Sequence, residues 1–208
     1  LYALPNSVES LNITMGFSSK NNPAQILIGK LFKLHTNAIQ RSESSYTLYY
    51  KEVLDILTNP LVEPYCKASK VVQIINQNNI TFLSQKKLME LHPEASELFH
   101  LLFDRWDHNI LNILNRLSAV LLAIKSFLGN DSEEEKVAKA FVYSLFKAIN
   151  KLISYQERYA QIDSIAMLHM MYRQIVDLAE VSFEGEPLSG LQIMGVLESR
   201  VLDFENVI

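Results

Sequence analysis

Along most of the chain, apolar residues return every three or four positions, the interval that lines one face of an α-helix. Leu27, Ile28, Leu31, Leu34 and His35 repeat in this way. Asn22 is a candidate N-cap and Pro23 takes the first helical position, where its missing N–H costs nothing, so a helix to about Gln40 is expected. Tyr46, Tyr49, Tyr50, Val53, Leu54 and Leu57 form a second helical stripe, stopped by Asn59-Pro60. Val71 to Asn76 adds at least one helical turn. Ile80 to Leu83 reads as an isolated strand or a loop, and Ser84 as the N-cap of a turn through Leu91. Pro93 to about Asp104 is expected to be one helix, continuing or kinking into an apolar segment between Asn109 and Leu128 that Gly129 ends. Ser132 with Glu135 makes a capping box, and Glu133, Glu134 and Glu135 put negative charge at the positive end of the next helix. That helix, to about Tyr159, carries Val137, Phe141, Leu145, Ala148 and Leu152 on one stripe. The last, from about Asp163 to Glu180, carries Ile165, Leu168, Met171, Tyr172, Ile175 and Leu178. Three long amphipathic helices joined by short turns are expected to pack antiparallel.

The two ends follow a different period. Leu11 to Gly16 alternates apolar and polar residues, the pattern of a half-buried strand. Gly185 and Pro187 signal a turn, Leu191 to Met194 is a short apolar run between Gly190 and Gly195, and Val207-Ile208 begins another. A chain that starts at Leu1 without Met and stops in the first residues of a strand is expected to be part of a longer protein. The fold expected is mainly α: a helical insertion over residues 41–180, flanked by a small incomplete α/β portion with a few short strands, residues 1–40 and 181–208.

Composition narrows the class. A length of 208 residues, 49% hydrophobic and 20% charged, suits a globular chain with a substantial core. The net charge of −4 argues against a uniformly basic nucleic-acid sleeve but leaves room for a local basic groove. Cys66 is the only cysteine, so neither an internal disulfide nor a Cys-rich zinc site can form, which suits a reducing cytoplasm. No spanning-length window is free of polar breaks; residues 110–128 contain Asn112, Asn115, Arg116, Ser118, Lys125 and Ser126, so no membrane partner is expected.

Met194 to Phe204 resembles motif V of UvrD/RecB-type superfamily 1 helicases, Met-Thr-x-His-x-x-Lys-Gly-Leu-Glu-Phe. Arg200, Leu202, Asp203 and Phe204 match its Lys, Leu, Glu and Phe, while Gly195, Leu197 and Val201 replace its Thr, His and Gly. The Leu-Glu-Ser-Arg and Leu-Asp-Phe version, with the Gly-Glu-Pro-Leu-Ser-Gly-Leu-Gln run before it, is similar to AddB-like proteins. Their helicase region is degenerate and is joined to a PD-(D/E)XK nuclease domain. The strand, loop and helix at residues 11–40 resemble the segment after motif IV, where the chain leaves RecA-like domain 2A for the inserted domain 2B. The resemblance implies a partial 2A segment over residues 1–40, a helical 2B-like insertion over 41–180 and a returning 2A segment over 181–208. It further implies a parent that is a DNA exonuclease of double-strand-break repair and recombination, with DNA and a helicase subunit as partners. The departures put ATP turnover in doubt, and Mg²⁺ is expected only for the parent's nuclease domain.

Within this chain no catalytic residue and no cofactor site is expected. There is no phosphate-cradling Gly-rich loop, no Gly-x-Ser-x-Gly, no His-Glu-x-x-His, and no Asp/Glu-x-Lys on a strand. His100, Asp104, Asp107 and His108 have the spacing to share a helix face and hold a divalent cation, or only to support the helix. Glu198, Ser199 and Arg200 are the candidate nucleic-acid contacts, because in the resembled proteins this loop faces the nucleotide cleft and DNA. Alternatively, Arg200 pairs with an acidic neighbour and shapes the loop. Trp106 and the Tyr46/Tyr49/Tyr50 cluster are either base-stacking faces or core. Two functions follow: a non-catalytic scaffold that guides DNA or docks a partner subunit, or a helical protein-interaction module. A functioning helicase is a third, against which Leu197 and Val201 weigh. Clustered Lys/Arg on one face would favour the first, an exposed apolar groove the second.

Overall fold

The structure, a computed structural model, describes residues 11–13, 17–18, 22–41, 45–66, 68–93, 96–129, 132–177, 180–181 and 191–193. The chain divides into two compact units, Leu1–Ser18 with Glu180–Ile208, and Ser19–Ala179. It is mainly α, with a few short strands.

In the first unit the two ends of the chain meet. β1 (Leu11–Ile13) pairs in parallel with β6 (Leu191–Ile193), Leu11 opposite Leu191 and Ile13 opposite Ile193. β2 (Phe17–Ser18) pairs antiparallel with β5 (Glu180–Val181). A parallel pair needs a crossover connection, and here the crossover contains the entire second unit.

The second unit is built on α1 (Pro23–Arg41). Asn22 caps it as expected: its side-chain oxygen accepts the Gln25 N–H at 2.9 Å. Leu27, Ile28, Leu31, Phe32, Leu34, His35 and Ala38 are all buried, a stripe too broad for a surface helix. Packing against α2, α8 and α9 absorbs it. The boundary between units therefore falls at Ser19 rather than after residue 40, because the buried face of α1 belongs to the helical core.

The stripe expected over residues 46–57 divides in two. Thr47–Tyr49 is a strand, β3, paired antiparallel with β4 (Phe82–Ser84), and only Tyr50–Leu57 is helical, α2. Leu48 and Leu83 face each other and are both buried, so strand alternation explains this tyrosine-rich run better than helical spacing does. Arg41 ties α1 to α2 through Glu52 at 2.7 Å. α3 (Glu63–Cys66), α4 (Ser69–Gln77) and α5 (Gln85–Leu91) follow, and Ser84 caps α5 through the Lys87 N–H.

The helix expected from Pro93 is shorter, α6 (Ser96–Phe103), and it does not run on into α7 (Ile110–Phe127). The break is made by side chains. Asn109 accepts the N–H groups of Leu111 and Asn112, Asp107 accepts those of Asn109 and the Asn112 side chain, and Arg116 donates back to the Asp104 and Arg105 carbonyls. By length and composition α7 could cross a membrane, which its polar breaks did not suggest. In this fold Ile113, Leu114, Leu117, Val120, Leu121 and Ile124 are buried and the helix packs on α6 and α8. At roughly 1.5–3 kcal/mol for each large apolar side chain, α7 is a principal source of the unit's stability.

α8 (Glu133–Tyr159) opens on the expected capping box, Ser132 and Glu135 each satisfying the other's backbone N–H. Its buried face is Val142, Leu145, Ala148, Ile149 and Leu152, whereas Val137 and Phe141 are only half-buried. Gln156 clamps the exit by bonding both the N–H and the carbonyl of Ile162. α9 (Ile165–Asp177) then buries Leu168, Tyr172 and Val176 against the core; Leu178 lies outside the described residues.

Candidate nucleic-acid interface

The most chemically elaborate cluster lies inside the helical unit. His35 of α1 is fully buried. Its Nε2 meets the Leu102 carbonyl at 2.9 Å, and its Nδ1 is bonded to the Tyr46 hydroxyl. A carbonyl only accepts, so Nε2 carries the proton and Tyr46 donates to Nδ1, which is the neutral imidazole. Burial drives the His35 pKa down to about 3, and the Leu102 carbonyl only partly opposes it. The ring stacks on Trp106 at 4.3 Å, Trp106 meets Phe32 edge-on at 5.3 Å, and Phe32 stacks on His169 at 4.6 Å. This aromatic column closes the core. Trp106 is 3% exposed and offers no face to a base. Burial also raises the Tyr46 pKa, and Tyr49 and Tyr50 pack edge-to-face at 5.0 Å.

His100, Asp104, Asp107 and His108 do not converge. His100 Nδ1 lies 2.9 Å from Asp104, which also accepts a hydrogen bond from Gln85. Asp107 is turned to the start of α7, and His108 lines a separate cleft with Thr36 and Asp163. Among the described residues no three His, Cys, Asp or Glu side chains come together. Cys66 is buried, and burial pushes its thiol up to about 12. Glu198, Ser199 and Arg200 lie outside the described residues, as does the rest of the motif V-like stretch.

A different surface stands out once the helices are assembled. α7 carries Arg116 and Lys125 and no Asp/Glu, and α8 carries Lys136, Lys139, Lys147 and Lys151 between Glu133–Glu135 at its start and Glu157 near its end, in a chain whose net charge is −4. On α8, Lys136, Lys139, Tyr143, Lys147 and Lys151 follow at steps of three and four residues, one row along one face. The row is roughly 22 Å long at 1.5 Å per residue. Arg158 continues it. From α7, Lys125 reaches the same row: its ammonium lies 4.9 Å from the centre of the Tyr143 ring, and that of Lys147 lies 5.1 Å from it. Lys147, Lys151 and Tyr143 are exposed. Among the described residues no carboxylate forms an ion pair with Lys125, Lys147 or Lys151. The arrangement is a positive strip with an aromatic ring at its middle, built on the most extensively packed helix pair of the unit. The recurring lysines are visible in the sequence spacing, but the apolar stripe of α8 and the −4 total mask them.

No protein-family model, curated protein or solved structure matches this chain.

Proposed function

We propose that the helical unit is a non-catalytic scaffold that guides nucleic acid along the α7–α8 face. In this reading its parent is an AddB-like helicase-nuclease protein of double-strand-break repair and recombination, whose helicase partner subunit works beside it. The observation that carries the proposal is the row of lysines, Lys125 of α7 with Lys136, Lys139, Lys147 and Lys151 of α8, whose α8 part runs without an acidic residue between the flanking Glu133–Glu135 and Glu157 of an acidic chain. Clustered cations attract a polyanion by releasing its condensed counterions, a contribution that needs no base recognition. The strip lies on packed helices rather than on loops, as a surface that holds a strand in register requires. The motif V-like residues at 194–204 and the parallel pairing of β1 with β6 around one large insertion support the choice of parent.

The competing reading, a helical protein-interaction module, calls for a continuous apolar surface. The exposed Ile26, Phe82, Leu122, Phe127 and Met170 are spread over α1, β4, α7 and α9. Fluorescence-anisotropy titration of the chain with single-stranded and forked DNA at two salt concentrations tests the proposal. Five cations on a single strand give a log–log salt slope of about −3.5, or on the order of a hundredfold loss of affinity over a fourfold rise in salt. Absence of binding at low salt would remove the nucleic-acid role and leave the protein-docking reading.

A further inference from the structure

Four aromatic side chains among the described residues are strongly exposed: Phe82, Phe127, Tyr143 and Tyr159. Three of them lie against another ring, Phe82 on Tyr49, Phe127 on Tyr65 and Tyr159 on Tyr155. Tyr143, 47% exposed, has no ring neighbour among the described residues and instead has the ammonium groups of Lys125 and Lys147 at its π system. It is also the aromatic residue that lies within the lysine row of α8.

We infer that Tyr143 is a stacking platform for an unpaired base, so that the α7–α8 face takes single-stranded nucleic acid in preference to duplex. The inference rests on the proposed nucleic-acid role of that face and names its ligand class. In a duplex the bases are stacked on one another and present only their edges, whereas a single strand can lay the π-face of a base on an aromatic ring. The two lysines supply the complementary part. In the free protein they rest on the ring, held by cation–π attraction of about 0.5–1 kcal/mol at an exposed site. Phosphates offer each ammonium a stronger, charge-assisted partner. Both stems are long and flexible, so drawing the ammoniums to the backbone uncovers the ring for the base between them. Lys136, Lys139 and Lys151 lie along the same row and follow the strand to either side.

The test compares wild type with Tyr143→Leu and Tyr143→Phe on three fluorescent ligands of equal length. These are a mixed-sequence single strand, the same strand carrying a run of abasic sites, and the corresponding duplex. Trp106 fluorescence on denaturation checks that each variant retains the fold. Wild type is expected to prefer the intact single strand. Tyr143→Leu is expected to weaken that binding about tenfold while leaving the abasic strand and the duplex unchanged, and Tyr143→Phe to retain wild-type affinity. Equal affinity of wild type for single strand and duplex, or a loss in Tyr143→Leu that is the same on all three ligands, would overturn the platform while leaving the basic face intact. Failure to bind any of the three would overturn the nucleic-acid reading and the platform with it.

Discussion

Acid should destabilise the helical unit through His35. The imidazole is fully buried between Trp106, the Tyr46 hydroxyl and the Leu102 carbonyl, and its pKa falls from an ordinary 6.5 to about 3. The unfolded chain therefore takes up a proton near pH 6.5, while the folded chain resists until about pH 3. Within that window the unfolded state binds more protons, so stability decreases as pH falls, by about 1.4 kcal/mol per pH unit. From about pH 7 to pH 5 the loss is about 2 kcal/mol, and across the whole window about 5 kcal/mol, comparable with the entire stability of many domains. His169, whose pKa is also lowered by burial and by Arg173, contributes in the same direction. The assay is urea denaturation between pH 8 and pH 4.5. It is followed by the fluorescence of Trp106, the chain's single tryptophan and the ring stacked on His35. In His35→Gln the amide can still donate and accept but does not titrate, so the variant should be less stable at neutral pH yet flatter in its pH dependence. Parallel pH profiles for wild type and His35→Gln would refute the reasoning.

Two further outcomes follow from the packing. Ser132→Ala removes one half of the capping box of α8 and should cost about 1 kcal/mol, read as a lower urea midpoint with an unchanged slope. Cys66, buried with its thiol pushed up to about 12, should resist alkylating reagents at neutral pH in the folded chain and react once the chain is unfolded; fast labelling of the native protein would contradict its position.

Three helix starts were legible because they are written in local chemistry. Asn22 before Pro23, Ser84 and the Ser132–Glu135 box cap the helices that their sequence signals announce, whereas the cap at Asn109 shows only in the structure. What escaped the sequence reading depends on partners distant in the chain. Tyr46 and Tyr49 fit a helical stripe as well as a strand, and the pairing with residues 82–84 decides between them. Pro93 to Asp104 reads as continuing or kinking into the α7 segment, and the full break between them rests in part on bonds from Arg116 to carbonyls eleven and twelve residues earlier. Trp106 gives no sign in its own sequence neighbourhood that His35 and Phe32 will enclose it. The basic strip was half legible: the α8 row shows in the spacing of its lysines, but the arrival of Lys125 over Tyr143 is a product of the packing of α7 on α8.

The central claim is that the α7–α8 face contacts the polyanion, and the salt dependence of binding tests it most directly. Lys125→Gln/Lys147→Gln/Lys151→Gln should be compared with Lys33→Gln/Lys70→Gln/Lys86→Gln. The control removes the same formal charge from exposed lysines on other elements. Single-strand affinity is measured for both across a range of salt concentrations. The strip variant should bind more weakly, with its log–log salt slope reduced in magnitude by about 2, since each phosphate contact on a single strand contributes about 0.7, and the control should keep the wild-type slope. Equal losses in the two variants, or a strip variant with the wild-type slope, would show that the charge acts only as a net total and that this face is not where the strand lies.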